Sequence, residues 1–148
     1  MAVKRKHLRN PTLPKSKLVI EHSGFYPYLL RFEEALRMQH FSGRTLQRRN
    51  SNLRKFIHWC DERGLDQPQN ITKPILERYQ KHLYYYRRDN GEPLTVTSRN
   101  QYLQDVKQFF KWLTRQNYLL YNPASELIMA KQVPRLPAVL SREDIAEL

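Results

Sequence analysis

Large apolar side chains recur at helical spacing through most of this chain, and glycine seldom interrupts them. In the first such stretch the spacing is i, i+4, i+7 and i+11, which places the side chains on one face of a helix. These residues are Phe25, Leu29, Phe32 and Leu36. The pattern predicts a first helix that ends near His40, before Ser42 and Gly43.

A second helix is predicted from Ser42 or Arg44 to Arg63. Gly64 follows as a C-terminal stop, because glycine tolerates the positive φ with which many helices end. The apolar stripe of this helix consists of Leu46, Leu53, Phe56, Ile57 and Cys60.

Thr72 and Pro74 predict the start of a third helix, because threonine is a common N-cap and proline is tolerated in the first turn. Its apolar positions are Leu76, Tyr79, Leu83 and Tyr86. We interpret the run Tyr84, Tyr85, Tyr86 as core and boundary packing. Consecutive helical residues point about 100° apart, so three of them cannot form one stacking platform for bases. A turn is predicted at residues 89–93.

A fourth helix is predicted from Thr95 or Thr97 to about Gln116. Its apolar face consists of Leu103, Val106, Phe110 and Leu113. Asn122 and Pro123 then predict a short fifth helix through residue 128, since they combine an N-cap with a proline at the first helical position.

The two ends of the chain lack this periodicity. Residues 1–22 are predicted to form a basic flexible arm, and residues 23–129 the helical domain. Residues 130–140 predict an extended linker, and residues 141–148 begin with the N-cap and acidic first turn of another helix. Because that helix breaks off after about two turns, we expect the polypeptide to be a truncated part of a longer parent. The predicted fold class is all-α.

Charge adds a class of partner to this fold. The 148 residues include 26 Lys and Arg against 14 Asp and Glu, so the formal net charge is +12. Such a charge favours an anionic partner, most simply nucleic acid, over a merely soluble basic protein. No apolar run approaches the roughly 20 residues of a membrane span, and the N-terminus lacks the apolar stretch of a secretory signal. We therefore expect a cytoplasmic protein with no membrane partner.

The second predicted helix carries a polar stripe opposite its apolar one, at the spacing i, i+4, i+7, i+11 and i+14. The stripe consists of Arg44, Arg48, Ser51, Lys55 and His58. Thr45 and Asn52 lie beside it, and Arg49 lies further round. Such a face can place Arg and Lys on phosphates and Asn, Thr or Arg on base edges, because a major groove admits an α-helix. A solvated basic face is the alternative.

The fourth predicted helix repeats this arrangement with more amide side chains. Its stripe consists of Asn100, Gln104, Lys107 and Lys111, and an adjacent row consists of Gln101, Gln108 and Arg115. Ser98 and Arg99 lie in the first turn, where backbone N–H groups favour phosphate. Asp105 is the acid near this face and is placed to one side of it. Two such faces in one small bundle predict DNA binding.

Neither catalysis nor a cofactor is indicated. The five histidines show no HExxH or HxxxH spacing, and a single cysteine excludes an intramolecular disulfide and a multi-cysteine zinc site. The chain has no glycine-rich phosphate-binding motif and no GxSxG motif. Cys60 lies on an apolar stripe, which favours a buried, inert thiol. We expect no catalytic residue, no metal and no cofactor in this chain.

Three stretches carry a more specific pattern. They are SGRTL at 42–46 with LRKFIHW at 53–59, LQDVKQFFKWL at 103–113 with NPA at 122–124, and LPAVLSRED at 136–144. In this order and spacing, over about residues 25–148, they resemble the N-terminal core-binding domain of tyrosine recombinases, the phage-integrase and Xer-type enzymes.

The resemblance implies an all-α, SAM-like orthogonal bundle of four or five helices that grips one face of duplex DNA while a catalytic domain grips the other. It implies that the second and fourth helices approach the major groove, and that the first helix meets other recombinase protomers in a synaptic tetramer. The family's catalytic Arg, Lys, His and Tyr residues lie in the catalytic domain, so we expect this chain to bind DNA without cutting it. The resemblance carries DNA contacts to Thr45, Arg48, Arg49, Asn52 and Lys55, and to Arg99, Asn100, Gln101, Gln104 and Lys107.

The sequence thus predicts sequence-specific binding of double-stranded DNA within a site-specific tyrosine recombinase or integrase. A stand-alone helical DNA-binding regulator with no enzymatic parent is one alternative, and a protein-interaction bundle whose charge only aids solubility is another. The predicted DNA-binding residues are Arg44, Thr45, Arg48, Arg49, Asn52, Lys55, Ser98, Arg99, Asn100, Gln101, Gln104, Lys107 and Lys111.

Overall fold

The structure, a computed structural model, describes residues 18–131. Over this part of the chain the regular elements are helices, and the only strand-like feature is an isolated bridge between Arg87 and Pro93. The α-helices are α1 (Tyr26–Met38), α2 (Gly43–Asp61), α3 (Lys73–Tyr85) and α4 (Val96–Arg115), with a short 3-10 helix at Pro68–Asn70. The predicted all-α class is confirmed. Residues 1–17 of the predicted arm, most of the predicted linker and all of 141–148 lie outside the described residues.

Two of the helix starts follow from side chains that cap them. The Ser42 hydroxyl accepts a hydrogen bond of 3.1 Å from the Thr45 backbone N–H at the start of α2. Thr95 does the same for the N–H of Ser98 at the start of α4, at 3.0 Å. Such caps satisfy N–H groups that have no partner within the helix. After α2 the chain turns at Gly64, whose φ of 74° confirms the predicted glycine stop.

The core lies around Phe56, a fully buried residue of α2. The centroid of its ring lies 6.0 Å from that of Phe25, 5.0 Å from that of Tyr79 and 5.9 Å from that of Phe110. These rings belong to the start of α1, to α3 and to α4, so one aromatic side chain joins all four helices. Edge-to-face contacts of this kind stabilise a core beyond the burial of their area.

Residues 18–22, predicted as the end of the basic arm, contact the helical domain. Ile20 is fully buried within the core. Arg54 of α2 donates to the Leu18 carbonyl oxygen at 3.3 Å, and its guanidinium lies 3.6 Å from the Glu21 carboxylate. The chain is therefore anchored to α2 before α1 begins.

The prediction of a fifth helix at residues 122–128 is wrong. The Asn122 side chain does accept a hydrogen bond of 2.9 Å from the Ala124 N–H, as an N-cap would. Only a turn follows over residues 123–126, and the chain then runs on without regular structure to residue 131. Side chains of α3 and α4 donate hydrogen bonds to the carbonyl oxygens of Leu127, Ile128 and Ala130. The hydrogen bonds of these carbonyl groups are therefore satisfied without a helix.

The prediction that the three consecutive tyrosines pack in the core or at its boundary is also wrong. Tyr84, Tyr85 and Tyr86 are 55%, 64% and 45% exposed. Helix α3 ends at Tyr85, so Tyr86 does not continue the buried face that Leu83 completes. The chain then makes the predicted turn, in which the Arg88 N–H donates to the Glu92 carbonyl oxygen at 2.8 Å.

None of the helices within residues 18–131 is both long enough and apolar enough to cross a bilayer.

Candidate nucleic-acid interface

Helices α2 and α4 pack against each other through a buried carboxylate, that of Asp105 on α4. The Asp105 side chain is 0% exposed. Arg48 on α2 donates to both of its oxygens, from Nε to Oδ2 at 3.3 Å and from Nη2 to Oδ1 at 3.0 Å. Asn52, one turn further along α2, donates to Oδ2 at 2.7 Å. A buried carboxylate needs such partners, because an unpaired buried charge destabilises the fold by roughly several kcal/mol.

Two further side chains complete this cluster. Arg49 places its Nε 3.6 Å from Asp105 Oδ1, and Gln101 donates to the same oxygen at 3.4 Å. The Arg49 guanidinium also lies 4.9 Å from the centroid of the Phe41 ring. Burial lowers the pKa of Arg49, and the nearby Asp105 carboxylate opposes that shift. Two guanidinium groups therefore share one carboxylate, which leaves an excess of positive charge where α2 meets α4.

The sequence places Asp105 to one side of the polar face, and the structure places it on the buried face of α4, where it contacts polar side chains of α2. Asn52 is only 7% exposed, and its amide faces inward. A signal for this was present in the sequence, because Asp105 precedes the buried Phe109 by four positions and so shares its helical face. The cluster Arg48, Arg49, Asn52, Gln101 and Asp105 is called the Asp105 cluster below.

Lys55 of α2 is also tied to α4. Its ammonium donates to the Tyr102 hydroxyl at 2.7 Å and lies 4.6 Å from the centroid of the same ring. Burial lowers the pKa of Lys55. Lys55 therefore lies at the interface between the two helices and does not extend freely into solvent.

Two residues of the predicted stripe on α4 hold the segment 127–130. Asn100 donates to the Ala130 carbonyl oxygen at 2.8 Å, and Lys107 donates to that of Leu127 at 3.4 Å. Gln80 of α3 donates to the carbonyl oxygen between them, that of Ile128, at 2.6 Å. We call these three side chains the strap residues, because they fasten the segment 127–130 across α3 and α4.

The other predicted contact residues lie at or near the surface. Arg44, Gln104 and Lys111 are exposed, and Thr45 and Ser98 lie in the first turns of α2 and α4. Arg99 is half-buried, and its guanidinium lies 5.1 Å from the centroid of the exposed Tyr84 ring. The structure thus brings the predicted residues together on two adjoining helices, but divides them between surface positions and internal contacts. The residues with internal contacts are Arg48, Arg49, Asn52, Lys55, Asn100, Gln101 and Lys107.

The charge on this pair of helices is strongly positive. Helix α2 carries five Lys or Arg and one acid, Asp61, whereas α4 carries four Lys or Arg and one acid, Asp105. Asp105 is buried against arginines, and Asp61 lies at the end of α2, 2.7 Å from His22. Of the nine basic side chains, Arg44, Lys111 and Arg115 are exposed and Arg48 and Arg99 are partly exposed, so the exposed charge on the two helices is mainly positive.

Residues suited to metal binding or nucleophilic chemistry do not gather on this surface. Within residues 18–131, no three His, Cys, Asp or Glu side chains lie together as metal ligands would. Cys60 is buried in the core, and burial raises the pKa of its thiol. A thiol in such surroundings is a poor nucleophile.

Comparison with known proteins places this bundle in a family. Residues 28–119 match the model of the phage integrase N-terminal SAM-like domain. The chain belongs to this family. It is also 44% identical, over 138 residues, to tyrosine recombinase XerC 2 of Ralstonia nicotianae. That alignment covers 91% of this chain and 40% of the relative, so the chain spans less than half the length of the curated relative that it matches.

A solved structure supports the same fold. The integrase from mycobacterium phage Brujita superposes with a TM-score of 0.61 over 83% of this chain and 39% of that integrase. The sequence identity is 22%, so this likeness concerns the fold. The SAM-like, all-α fold that the sequence predicts for this chain is therefore confirmed.

Proposed function

We propose that this chain binds double-stranded DNA through the outer surface of α2 and α4, as the DNA-gripping domain of a site-specific tyrosine recombinase. The observation that carries the proposal is the basic surface itself, on which the acids are either buried or paired at one end. DNA carries one phosphate charge per about 1.7 Å of its axis, and Lys or Arg side chains bind it by displacing counterions. The helices supply such side chains over several turns.

The residues predicted from the sequence take two roles in this proposal. Arg44, Gln104 and Lys111 are exposed and would contact phosphate or base edges, together with the first turns that hold Thr45, Ser98 and Arg99. Arg48 belongs to both roles, because its side chain is 38% exposed while it pairs with Asp105. The remaining predicted residues make contacts within the protein that hold α2, α4 and the segment 127–130 together. They are Arg49, Asn52, Lys55, Asn100, Gln101 and Lys107.

Family membership favours a recombinase parent over a stand-alone regulator. The match to a tyrosine recombinase covers 91% of this chain. In this proposal strand cleavage and rejoining belong to a catalytic domain of the parent, and this chain contributes DNA binding to recombination or integration.

The exposed Leu30 and Met38 on α1 support a contact between protomers on DNA. Sedimentation of the DNA-bound chain, wild type against Met38→Glu, tests that contact by its assembly state.

Salt dependence tests the DNA-binding proposal. Fluorescence anisotropy of a labelled duplex with the 148-residue chain should give an affinity that falls about 10²-fold between 50 and 200 mM salt, if about four phosphates are contacted. The double variant Arg44→Ala, Lys111→Ala should bind more weakly and with a smaller slope. The matched control Arg78→Ala, Lys81→Ala removes the same charge from exposed positions of α3. Absent binding, or equal losses in both double variants, would contradict the proposal.

A further inference from the structure

The Asp105 cluster fixes the orientation of one partly exposed arginine. Arg48 uses Nε and Nη2, the side edge of its guanidinium, to pair with the two oxygens of Asp105. A guanidinium has five N–H donors in a rigid, planar fork. The pairing with Asp105 therefore leaves the outer edge, formed by Nη1 and Nη2, for another partner.

The carboxylate that holds Arg48 is itself held from other sides. Asn52 donates to Asp105 Oδ2 at 2.7 Å, and Gln101 donates to Oδ1 at 3.4 Å. Asp105 is fully buried, so water does not compete for its oxygens. Arg48 thus has a fixed anchor at one edge and an exposed fraction of 38% at the surface of α2.

We propose that Asp105 is a positioning residue that holds Arg48 so that its outer edge donates to O6 and N7 of a guanine in the major groove. The proposal rests on the proposed function and specifies what part of the surface reads sequence. Two parallel N–H donors match the two guanine acceptors, and this pair is the commonest specific contact between proteins and DNA. Anchoring the arginine beforehand reduces the conformational entropy that binding would otherwise cost.

A phosphate contact would not need this anchor. A phosphate accepts from many directions, and a mobile arginine reaches it well. Without Asp105, Arg48 would still be attracted to the DNA backbone, but its donors would lose their fixed direction. The positioning role therefore predicts a loss of sequence preference that is larger than the loss of overall affinity.

The test combines a protein variant with a base analogue. Duplexes are first selected from a randomised library with the wild-type 148-residue chain. In a selected duplex, each guanine is then replaced in turn by 7-deazaguanine, which lacks the N7 acceptor. For the wild type, replacement at one position should weaken binding about tenfold. For Asp105→Asn and for Arg48→Ala, the same replacement should cost less than about threefold, because the contact is already lost.

The other outcomes are also informative. If 7-deazaguanine costs nothing at any position while Arg48→Ala weakens binding to all duplexes alike, Arg48 binds phosphate and the proposal is overturned. Equal effects of the analogue on wild type and Asp105→Asn overturn the positioning role alone. Failure of the wild type to bind any duplex would instead contradict the proposed function.

A second measurement applies if Asp105→Asn does not fold. In the wild type without DNA, the Arg48 Nε–H should give an NMR signal that exchanges slowly with water, because Asp105 accepts from it. The exposed Arg78 serves as the comparison and should exchange rapidly. A rapidly exchanging Arg48 Nε–H would overturn the proposal.

Discussion

Helices α2 and α4 carry polar stripes of similar composition, yet the fold uses the two stripes differently. On α2, Arg48 and Asn52 turn inward to a single buried carboxylate. On α4, Asn100 and Lys107 reach instead to backbone carbonyl oxygens of the segment 127–130. A basic stripe of this kind therefore makes contacts within the protein as well as forming part of the surface that we propose for DNA.

The Asp105 cluster, called the α2 joint here, and the contacts of the strap residues, called the α4 joint, differ in how much stability is lost when one partner is removed. The α2 joint contains charges that are shielded from water, and removal of one partner leaves the others unpaired. The α4 joint consists of hydrogen bonds to backbone at half-buried positions, where water can replace a lost partner. The difference predicts a large effect for Asp105 and a modest one for the strap residues.

The largest effect is expected for Asp105→Ala. The change removes the carboxylate to which Arg48 and Asn52 donate and with which Arg49 is ion-paired, and it should lower the free energy of unfolding by about 3–5 kcal/mol. Urea unfolding measures it. Asp61→Ala is the control, because Asp61 is partly exposed and pairs with His22; it should cost less than about 1 kcal/mol. Similar losses in the two variants would show that the Asp105 cluster has no special place in the fold.

A smaller effect is expected where the strap residues hold the segment 127–130. Asn100→Ala should lower the free energy of unfolding by about 0.5–1.5 kcal/mol, since it removes one hydrogen bond to the Ala130 carbonyl oxygen. Gln104→Ala, at an exposed position of the same stripe, should change it by less than about 0.5 kcal/mol. If both variants unfold at the same urea concentration as the wild type, the strap contributes nothing to stability.

The smallest effect on stability is expected at the exposed positions. Arg44→Ala on α2 and Lys111→Ala on α4 should each change the free energy of unfolding by less than about 0.5 kcal/mol. Each should reduce the log–log slope of DNA affinity against salt by about 1, because one phosphate contact is lost. An effect confined to one of the two variants would indicate that DNA contacts a single helix.

Features with a local cause could be predicted from the sequence. The Ser42 and Thr95 caps act within one turn, and the apolar periodicity of α2 and α4 acts within the helix itself. The positions of these helices followed from those signals. The end of α3 does not follow from such a signal, because Tyr86 continues the apolar spacing although the helix ends at Tyr85.

Features that depend on tertiary contacts could not be predicted in the same way. An acid on the buried face of α4 indicates a buried ion pair, but its partners depend on which residues of α2 lie opposite. The predicted fifth helix does not form for a related reason, since Gln80 and Lys107 donate to the carbonyl oxygens of Ile128 and Leu127, in the segment that the helix would occupy. The two helices of the candidate site could therefore be predicted from the sequence. Which of their polar residues lie at the surface and which make contacts within the protein could not.

The central claim, that α2 and α4 together form the DNA-binding surface, is tested most directly by NMR titration of the isotopically labelled chain with a duplex. Backbone amide signals should shift along residues 44–55 and 98–111 as DNA is added at low salt, and the shifts should reverse at high salt. Signals of α3, at residues 73–83, should change little. Shifts confined to α1 or α3, with none along α2 and α4, would contradict the claim.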